Sequence, residues 1–381
     1  LTIRTLAYYA LQDNPEKYNE WHKKWCDEAK SKFLSSNRNS KGTYVCDYIY
    51  RINWLNIAGI FDNETLIYRF ENGRWIYMNW PETVKFIINS VRSTSVIKRE
   101  TDMIIKTIES CYESEELLLD FELYFNVYGL GFLDNNDTLF SVANGVFELF
   151  DNNIIFREPK PEDYISLSSN ICYESLSWSH NYVEDCLNLF RTLFNNESDF
   201  HNFMKILSST LFKDFTKTIH CLKITDSYLE LYISQFLREV FGDYYVHNPL
   251  FIHDISDCHI FKGKKFSFNS SNNGTINSIN IKILKSNDSL FHYTSGSFNL
   301  SLPTLISYND KISIDRYDSS IKRRLNSIKF KSPGHNVFEN IKHLAPAFLW
   351  ILLQYYPIYL RENILYHPVD DNDIVIIHNN N

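Results

Sequence analysis

The chain has few glycines and lacks the short motifs that identify most enzyme classes. Its 381 residues include 11 glycines and a single Gly-Lys pair, Gly263-Lys264, which no glycine-rich loop precedes. No Gly-x-Ser-x-Gly motif or Cys/His arrangement supports a hydrolase triad. The seven cysteines form no Cys-x-x-Cys pair, which fits a reducing compartment better than a disulfide framework. We therefore expect an intracellular protein.

The sequence also lacks an apolar run long enough to cross a membrane. The most apolar stretch, Leu344 to Leu360, contains Pro346 and Pro357 and is shorter than the roughly 20 residues that a membrane span needs. It predicts a buried helix and no membrane partner. The first residue is Leu rather than Met, so we expect that a preceding segment is missing.

Acidic residues outnumber basic ones, which restricts how the chain could bind nucleic acid. The net charge is −8, so the surface as a whole repels a phosphate backbone and any contact with DNA needs a local basic patch. Clustered lysines lie on solvated turns more often than they contact DNA, so a solvated turn and a DNA contact both stay open for the lysines of this chain. The candidates for a DNA contact are Lys264, Lys265, Lys282 and Lys285.

Local patterns in the N-terminal third predict helices and one hairpin. Asn14-Pro15 precedes an apolar stripe at three- and four-residue spacing, which predicts a helix up to Phe33. Alternating residues over 65–70 and 74–78, joined by Glu71-Asn72-Gly73, predict a β-hairpin. The pattern between Pro81 and Phe125 is helical again.

One group of metal-capable side chains lies in the second half of the chain. His253, Asp254, Asp257, Cys258 and His259 are close in sequence. Structural zinc sites usually take their ligands from spaced pairs, and this group has none. The sequence therefore predicts no metal site.

Three segments resemble one family of viral proteins. They are NPEKYNEWHKKW (14–25), NGVFELFDNNIIFREPKPEDYIS (144–166) and DRYDSSIKRRLNSIKF (315–330). In this order they are similar to the poxvirus-type primase-helicases of nucleocytoplasmic large DNA viruses. The resemblance implies a mixed α/β fold: a helical and β-rich collar over 1–175, a degenerate AAA+-like superfamily 3 helicase domain over 176–343, and a C-terminal helix and tail over 344–381. From Pro368 onward the tail is expected to be frayed.

The nucleotide-binding motif of that family is not recognisable here. Phe241-Gly242-Asp243-Tyr244 matches the segment that closes the helix after the family's phosphate-binding loop. Counting back along an uninterrupted helix places Glu230 at the position of the phosphate-binding lysine and Leu231 at that of the magnesium-binding Ser/Thr. No glycine lies between Cys221 and Glu230. A carboxylate at the lysine position repels a triphosphate, and glycines are what let backbone N–H groups face phosphates.

The remaining family positions are partly kept. The strand that should carry the second acidic motif reads FSFNSSNN (266–273) and places Ser271 where a carboxylate is expected. Asn309 matches the polar residue of the sensor strand. Arg323 and Arg324 match the trans-acting arginines, which would reach a phosphate or an acidic side chain in a neighbouring subunit; an ordinary surface ion pair is the alternative.

We therefore predict a viral DNA replication protein that does not hydrolyse ATP and that acts as a scaffold or an accessory subunit. No cofactor is expected, although ATP and Mg²⁺ serve the family. The expected partners are DNA, other replication proteins, an active paralogue or further copies in an ATP-independent homo-oligomer, in the host cytoplasm or a viral factory. Two alternatives stay open: an active ATP-dependent helicase with atypical motifs, and a structural protein derived from the helicase fold.

Overall fold

The chain divides into two compact units in the computed structural model. The first comprises Leu1–Leu133, Lys160–Ser166 and Thr294–Gly296, and the second comprises Asp134–Pro159, Leu167–Tyr293 and Ser297–Asn381. The predicted domain boundaries at 175/176 and 343/344 stay predictions. The structure describes residues 3–36, 41–61, 65–94, 96–113, 118, 122, 124–125, 133–212, 218–251, 261–271, 274–284, 290–293, 296–299, 302–328, 330–331, 341–362 and 364–377.

Helices form most of the described part of the first unit. They are α1 (Ile3–Asp13), α2 (Pro15–Ser35), α3 (Lys41–Asn53), α4 (Trp80–Thr94) and α5 (Lys98–Glu113). Helix α2 starts where the sequence predicts, because the Asn14 side chain accepts a hydrogen bond from Lys17 N at 3.1 Å. The predicted helix up to Phe33 is confirmed, and α4 and α5 confirm the helical pattern from Pro81 to Glu113; most of residues 114–125 lie outside the described residues.

An antiparallel sheet completes the first unit. Its strands, in spatial order, are β1 (Ile57–Phe61), β2 (Thr65–Glu71) and β3 (Arg74–Met78). Asn72 and Gly73 join β2 to β3, and both have positive φ angles, 51° and 78°. A two-residue hairpin turn requires such angles, and Asn-Gly adopts them readily. The predicted hairpin is confirmed.

A second antiparallel sheet belongs to the second unit. It consists of β4 (Leu139–Val142), β5 (Gly145–Phe150) and β6 (Asn153–Arg157). Asp151 and Asn152 turn the chain between β5 and β6, again with positive φ angles, 47° and 65°. Asp and Asn are residues that adopt such turn conformations readily.

The other described elements follow in chain order. The helices are α6 (Asn181–Arg191), α7 (Glu197–Ser209), α8 (Ser227–Phe241), α9 (Ser278–Leu284), α10 (Ser319–Lys322) and α11 (Ala345–Arg361). The strands are β7 (Ile219–Lys223), β8 (Tyr245–His247), β9 (Phe266–Ser270), β10 (Leu290–Tyr293), β11 (Gly296–Asn299), β12 (Thr304–Tyr308), β13 (Ile312–Ile314), β14 (Leu325–Ile328) and β15 (Ile374–Ile376).

A five-stranded parallel sheet forms the centre of the second unit, with the strand order β14-β7-β12-β9-β8. Both faces are covered, as parallel sheets require. Phe266 stacks on Phe241 of α8 with ring centroids 4.8 Å apart, whereas Cys221 and Ile306 belong to a separate buried cluster. The combination of helices with a parallel sheet confirms the α/β class.

The order of the strands indicates where a ligand would bind. From β7 the chain passes through α8 to β8 at one edge of the sheet, while β14 lies on the other side of β7. Open α/β sheets bind ligands outside the carboxyl ends of their strands, where the strand order reverses in this way. The carboxyl ends of β7 and β12, which are adjacent, are therefore the place to look for a site.

The C-terminal part of the chain gives one confirmation and one correction. Helix α11 is buried along most of its length, as predicted for Leu344–Leu360. No helix among the described residues is long and apolar enough to cross a membrane. The prediction of a frayed end from Pro368 is wrong: β15 pairs with β13, Ser327 N donates to His367 O at 2.6 Å, and Val369 is buried.

Candidate functional site at the carboxyl edge of the parallel sheet

The connection between β7 and α8 is too short to surround a phosphate. Strand β7 ends at Lys223 and α8 begins at Ser227, so the connection is Ile224-Thr225-Asp226. Ile224 is buried, and its N–H donates to Tyr308 O at 2.8 Å, which continues the pairing of β7 with β12. A phosphate-binding loop is several residues longer and glycine-rich, because its N–H groups must turn inward. This three-residue connection is shorter than a phosphate-binding loop and contains no glycine.

The first N–H groups of α8 are already occupied by a carboxylate. Asp226 Oδ1 accepts hydrogen bonds from Tyr228 N at 2.9 Å and from Leu229 N at 3.2 Å. Asp226 is thus the N-cap of the helix. Free N–H groups at a helix N-terminus bind anions, and here a negatively charged side chain takes that role. The positive end of the helix is neutralised from within the chain.

Glu230 adds a second carboxylate one turn further along. Its side chain is only 7% exposed, and Ser307 Oγ of β12 donates to Glu230 Oε1 at 2.8 Å. Ser307 Oγ also lies 3.2 Å from Asn269 O of β9. Leu231, by contrast, is half exposed. The structure therefore places Glu230 at the carboxyl edge and points Leu231 outward; which family positions they occupy stays a prediction.

The exit of β9 carries hydroxyl and amide groups. Asn269 Oδ1 accepts from Leu250 N at 3.0 Å, and Ser270 N donates to Asn248 Oδ1 at 2.8 Å. Ser271 is buried, and its Oγ has no hydrogen-bond partner within the described part of the chain. No residue of 266–271 is acidic. Tight binding of Mg²⁺ usually employs one or two carboxylates, and this strand supplies none.

The sensor-like and arginine positions lie at separate points of the second unit. Asn309 follows β12 directly and is exposed. Arg323 is exposed, whereas Arg324 Nη1 donates to Ser320 O at 2.6 Å within the same chain. Arg324 Nε is buried without a hydrogen-bond partner, and burial together with the charge of Arg323 lowers the pKa of Arg324. Of the two arginines, Arg323 is the exposed one.

The three described lysines among the predicted DNA contacts each have a partner within the chain. Lys265 is 3% exposed and donates to Asp137 O at 3.2 Å, and Lys264 donates to Asp243 O. Burial lowers the pKa of Lys264. Lys282 forms an ion pair with Asp318 at 3.0 Å. The structure does not gather these three lysines into an open patch, so their contact with DNA stays a prediction that requires local rearrangement. Lys285 lies outside the described residues, as does the group of His, Asp and Cys side chains at 253–259.

Sequence reasoning missed three features of this edge. Asp226 stands before an apolar helical stripe, which is a recognisable N-cap signal. The contact of Ser307 with Glu230 joins residues far apart in the chain, and no local pattern predicts it. The same holds for Asp373, which contacts Lys223 and Tyr308 at the ends of β7 and β12.

Comparison with known proteins gives one distant sequence relative. No protein-family model matches the chain. Over 200 aligned residues the chain is 25% identical to the Acanthamoeba polyphaga mimivirus protein named "Putative helicase L207/L206". The alignment covers 45% of this chain and 20% of that protein, so the chain spans about a fifth of the relative's length. At a coarse level the chain is similar to a viral helicase-like protein, and the subtype is not shown.

Solved structures show a weaker similarity. Two apo structures of the NrS-1 C-terminal region match 80% of this chain and 68% and 67% of their own chains. Sequence identity is 12%, and the TM-scores are 0.45 and 0.46. Similarity at this level does not establish a shared fold.

Proposed function

We propose that the chain is a helicase-like viral replication protein that does not hydrolyse ATP and that acts as a scaffold or an accessory subunit. One observation carries the proposal: a three-residue connection capped by Asp226 stands where a nucleotide-binding loop would lie. The resemblance to superfamily 3 helicases and the parallel sheet support an AAA+-like origin. The mimivirus similarity supports a role in viral DNA replication.

Electrostatics at this edge opposes binding of a triphosphate. Two like unit charges about 4 Å apart repel each other by roughly 4 kcal/mol near a protein surface, which is about a thousandfold in affinity. Asp226 and the buried Glu230 both supply negative charge next to the α8 N-terminus. A nucleotide there would also lack the magnesium-binding carboxylate that β9 does not supply. Loss of nucleotide binding is the simplest consequence.

The proposed partners follow from the same role. A scaffold in a viral factory or the host cytoplasm would bind other replication proteins, an active paralogue, or DNA. Arg323 is the arginine available for an acidic side chain of a neighbouring copy, because Arg324 is held within its own chain. Assembly of that kind would not depend on ATP.

Steady-state phosphate release tests the proposal. The purified chain, incubated with ATP and Mg²⁺ and with or without single-stranded DNA, is expected to release phosphate no faster than buffer. The Glu230→Ala and Asn309→Ala variants serve as controls, because either change would abolish turnover by an atypical active site. Turnover by the wild type that disappears in these variants would contradict the proposal and support an active helicase.

A further inference from the structure

One carboxylate of the C-terminal segment, Asp373, reaches the carboxyl ends of two strands, and a second, Asp371, contacts residues that precede β14. Asp371 and Asp373 belong to a short turn that immediately precedes β15. Asp373 Oδ1 lies 2.9 Å from Lys223 Nζ, and Asp373 Oδ2 accepts a hydrogen bond from Tyr308 Oη at 3.1 Å. Lys223 and Tyr308 are the last residues of β7 and β12. The turn therefore reaches the place where an α/β sheet would bind a ligand.

Asp371 repeats the same pattern with a second pair of donors. Its Oδ1 accepts a hydrogen bond from Tyr317 Oη at 3.0 Å, and its Oδ2 accepts one from Lys322 Nζ. The Lys322 and Tyr317 hydrogen bonds lower the pKa of Asp371, so it remains a carboxylate. Each carboxylate is thus bound by one ammonium group and one phenol. Four separate positions of the fold supply these donors.

The four donors have the chemistry of a phosphate site. Burial raises the pKa of Tyr308 and of Tyr317, and the neighbouring carboxylates raise both further, so the phenols stay protonated donors at neutral pH. Lysine ammonium groups and tyrosine hydroxyls are donors that proteins use for phosphate oxygens. Isolated surface ion pairs contribute about 0–1 kcal/mol, so contacts of this kind can be exchanged for a stronger anion.

We propose that the Asp371–Asp373 turn is an internal anion that blocks a phosphate-binding site formed by Lys223, Lys322, Tyr308 and Tyr317. Release of the C-terminal segment would open this site to phosphate groups, either in a free oligophosphate or in a nucleic-acid backbone. This inference deepens the proposed function, because Asp373 of this turn contacts the carboxyl edge at β7 and β12, beside the connection that lacks a nucleotide loop. It assigns a binding role to that edge and no hydrolysis.

A charge-neutralising variant with a matched control tests this site. In the variant Asp371→Asn/Asp373→Asn, called the plug variant below, the Asp371–Asp373 turn loses both negative charges while the two side chains keep their size. We expect this variant to bind inorganic tripolyphosphate or a fluorescent oligothymidylate at least about tenfold more tightly than the wild type, with an affinity that falls as salt rises. The control is Asp370→Asn/Glu174→Gln, which removes two negative charges that, within the described part of the chain, contact none of the four donors. Adding Lys223→Gln to the plug variant is expected to return the affinity for these ligands toward that of the wild type.

The outcomes separate the ligand sources and the two proposals. A gain with tripolyphosphate alone assigns the site to free oligophosphates, and a gain with the oligonucleotide assigns it to a nucleic-acid backbone. Equal affinity of the plug variant and the wild type, or an equal gain in the control, overturns the inference. If the double variant does not fold by circular dichroism, the single Asp373→Asn variant decides in the same way. Phosphate release, measured in the same preparations, tests the proposed function independently.

Discussion

At the start of α8, two carboxylate side chains have defined hydrogen-bond partners. Asp226 holds the N–H groups of Tyr228 and Leu229, and Glu230 is buried against Ser307. The Asp226 cap could be predicted from the sequence, since an Asp before an apolar helical stripe is a common N-cap. The environment of Glu230 could not, because Ser307 is 77 residues away in the chain.

Replacing Asp226 tests its role as a helix cap. Asp226→Ala removes the acceptor for two backbone N–H groups, so we expect the free energy of unfolding to fall by about 1 kcal/mol. Asp226→Ser keeps an acceptor and is expected to retain most of the stability. Urea denaturation followed by circular dichroism measures both. An unchanged midpoint for Asp226→Ala, or equal losses for the two variants, would show that the cap is not what stabilises this turn.

Among the elements, those with strong local signals are the ones that the sequence predicts correctly. The Asn72-Gly73 hairpin and helices α2 and α11 follow from turn chemistry, capping and apolar composition. Strand β15 was missed, because its pairing with β13 depends on residues about 60 positions away. Without knowledge of the pairing with β13, the polar residues around β15 indicate a solvated, frayed end of the chain.

Helix α11 offers a matched test of burial within one element. Leu352 is fully buried and Leu360 is 40% exposed. Leu352→Ala is expected to cost about 2–5 kcal/mol of unfolding free energy, whereas Leu360→Ala should change it by less than about 1 kcal/mol. Chemical denaturation of the two variants gives the comparison. Similar losses at both positions would contradict the described orientation of the helix.

For the whole molecule, the family resemblance implies the α/β class, but neither it nor the local patterns predict the arrangement of the sheet. Neighbouring strands come from distant parts of the chain: β7 lies between β14 and β12, and the tail returns so that Asp373 meets Lys223 across 150 residues. The sequence predicts that the nucleotide motif is absent. In the structure, Asp226 accepts hydrogen bonds from the first N–H groups of α8, and Asp373 contacts Lys223 at the end of β7.

Calorimetric titration of the full chain with MgATP tests the central claim most directly. No saturable binding is expected up to a concentration of about 1 mM, because Asp226 occupies the α8 N-terminus and Asp373 holds Lys223. The Lys223→Gln variant is the control for any binding at this edge. Saturable binding of MgATP by the wild type that is lost in Lys223→Gln would contradict the account.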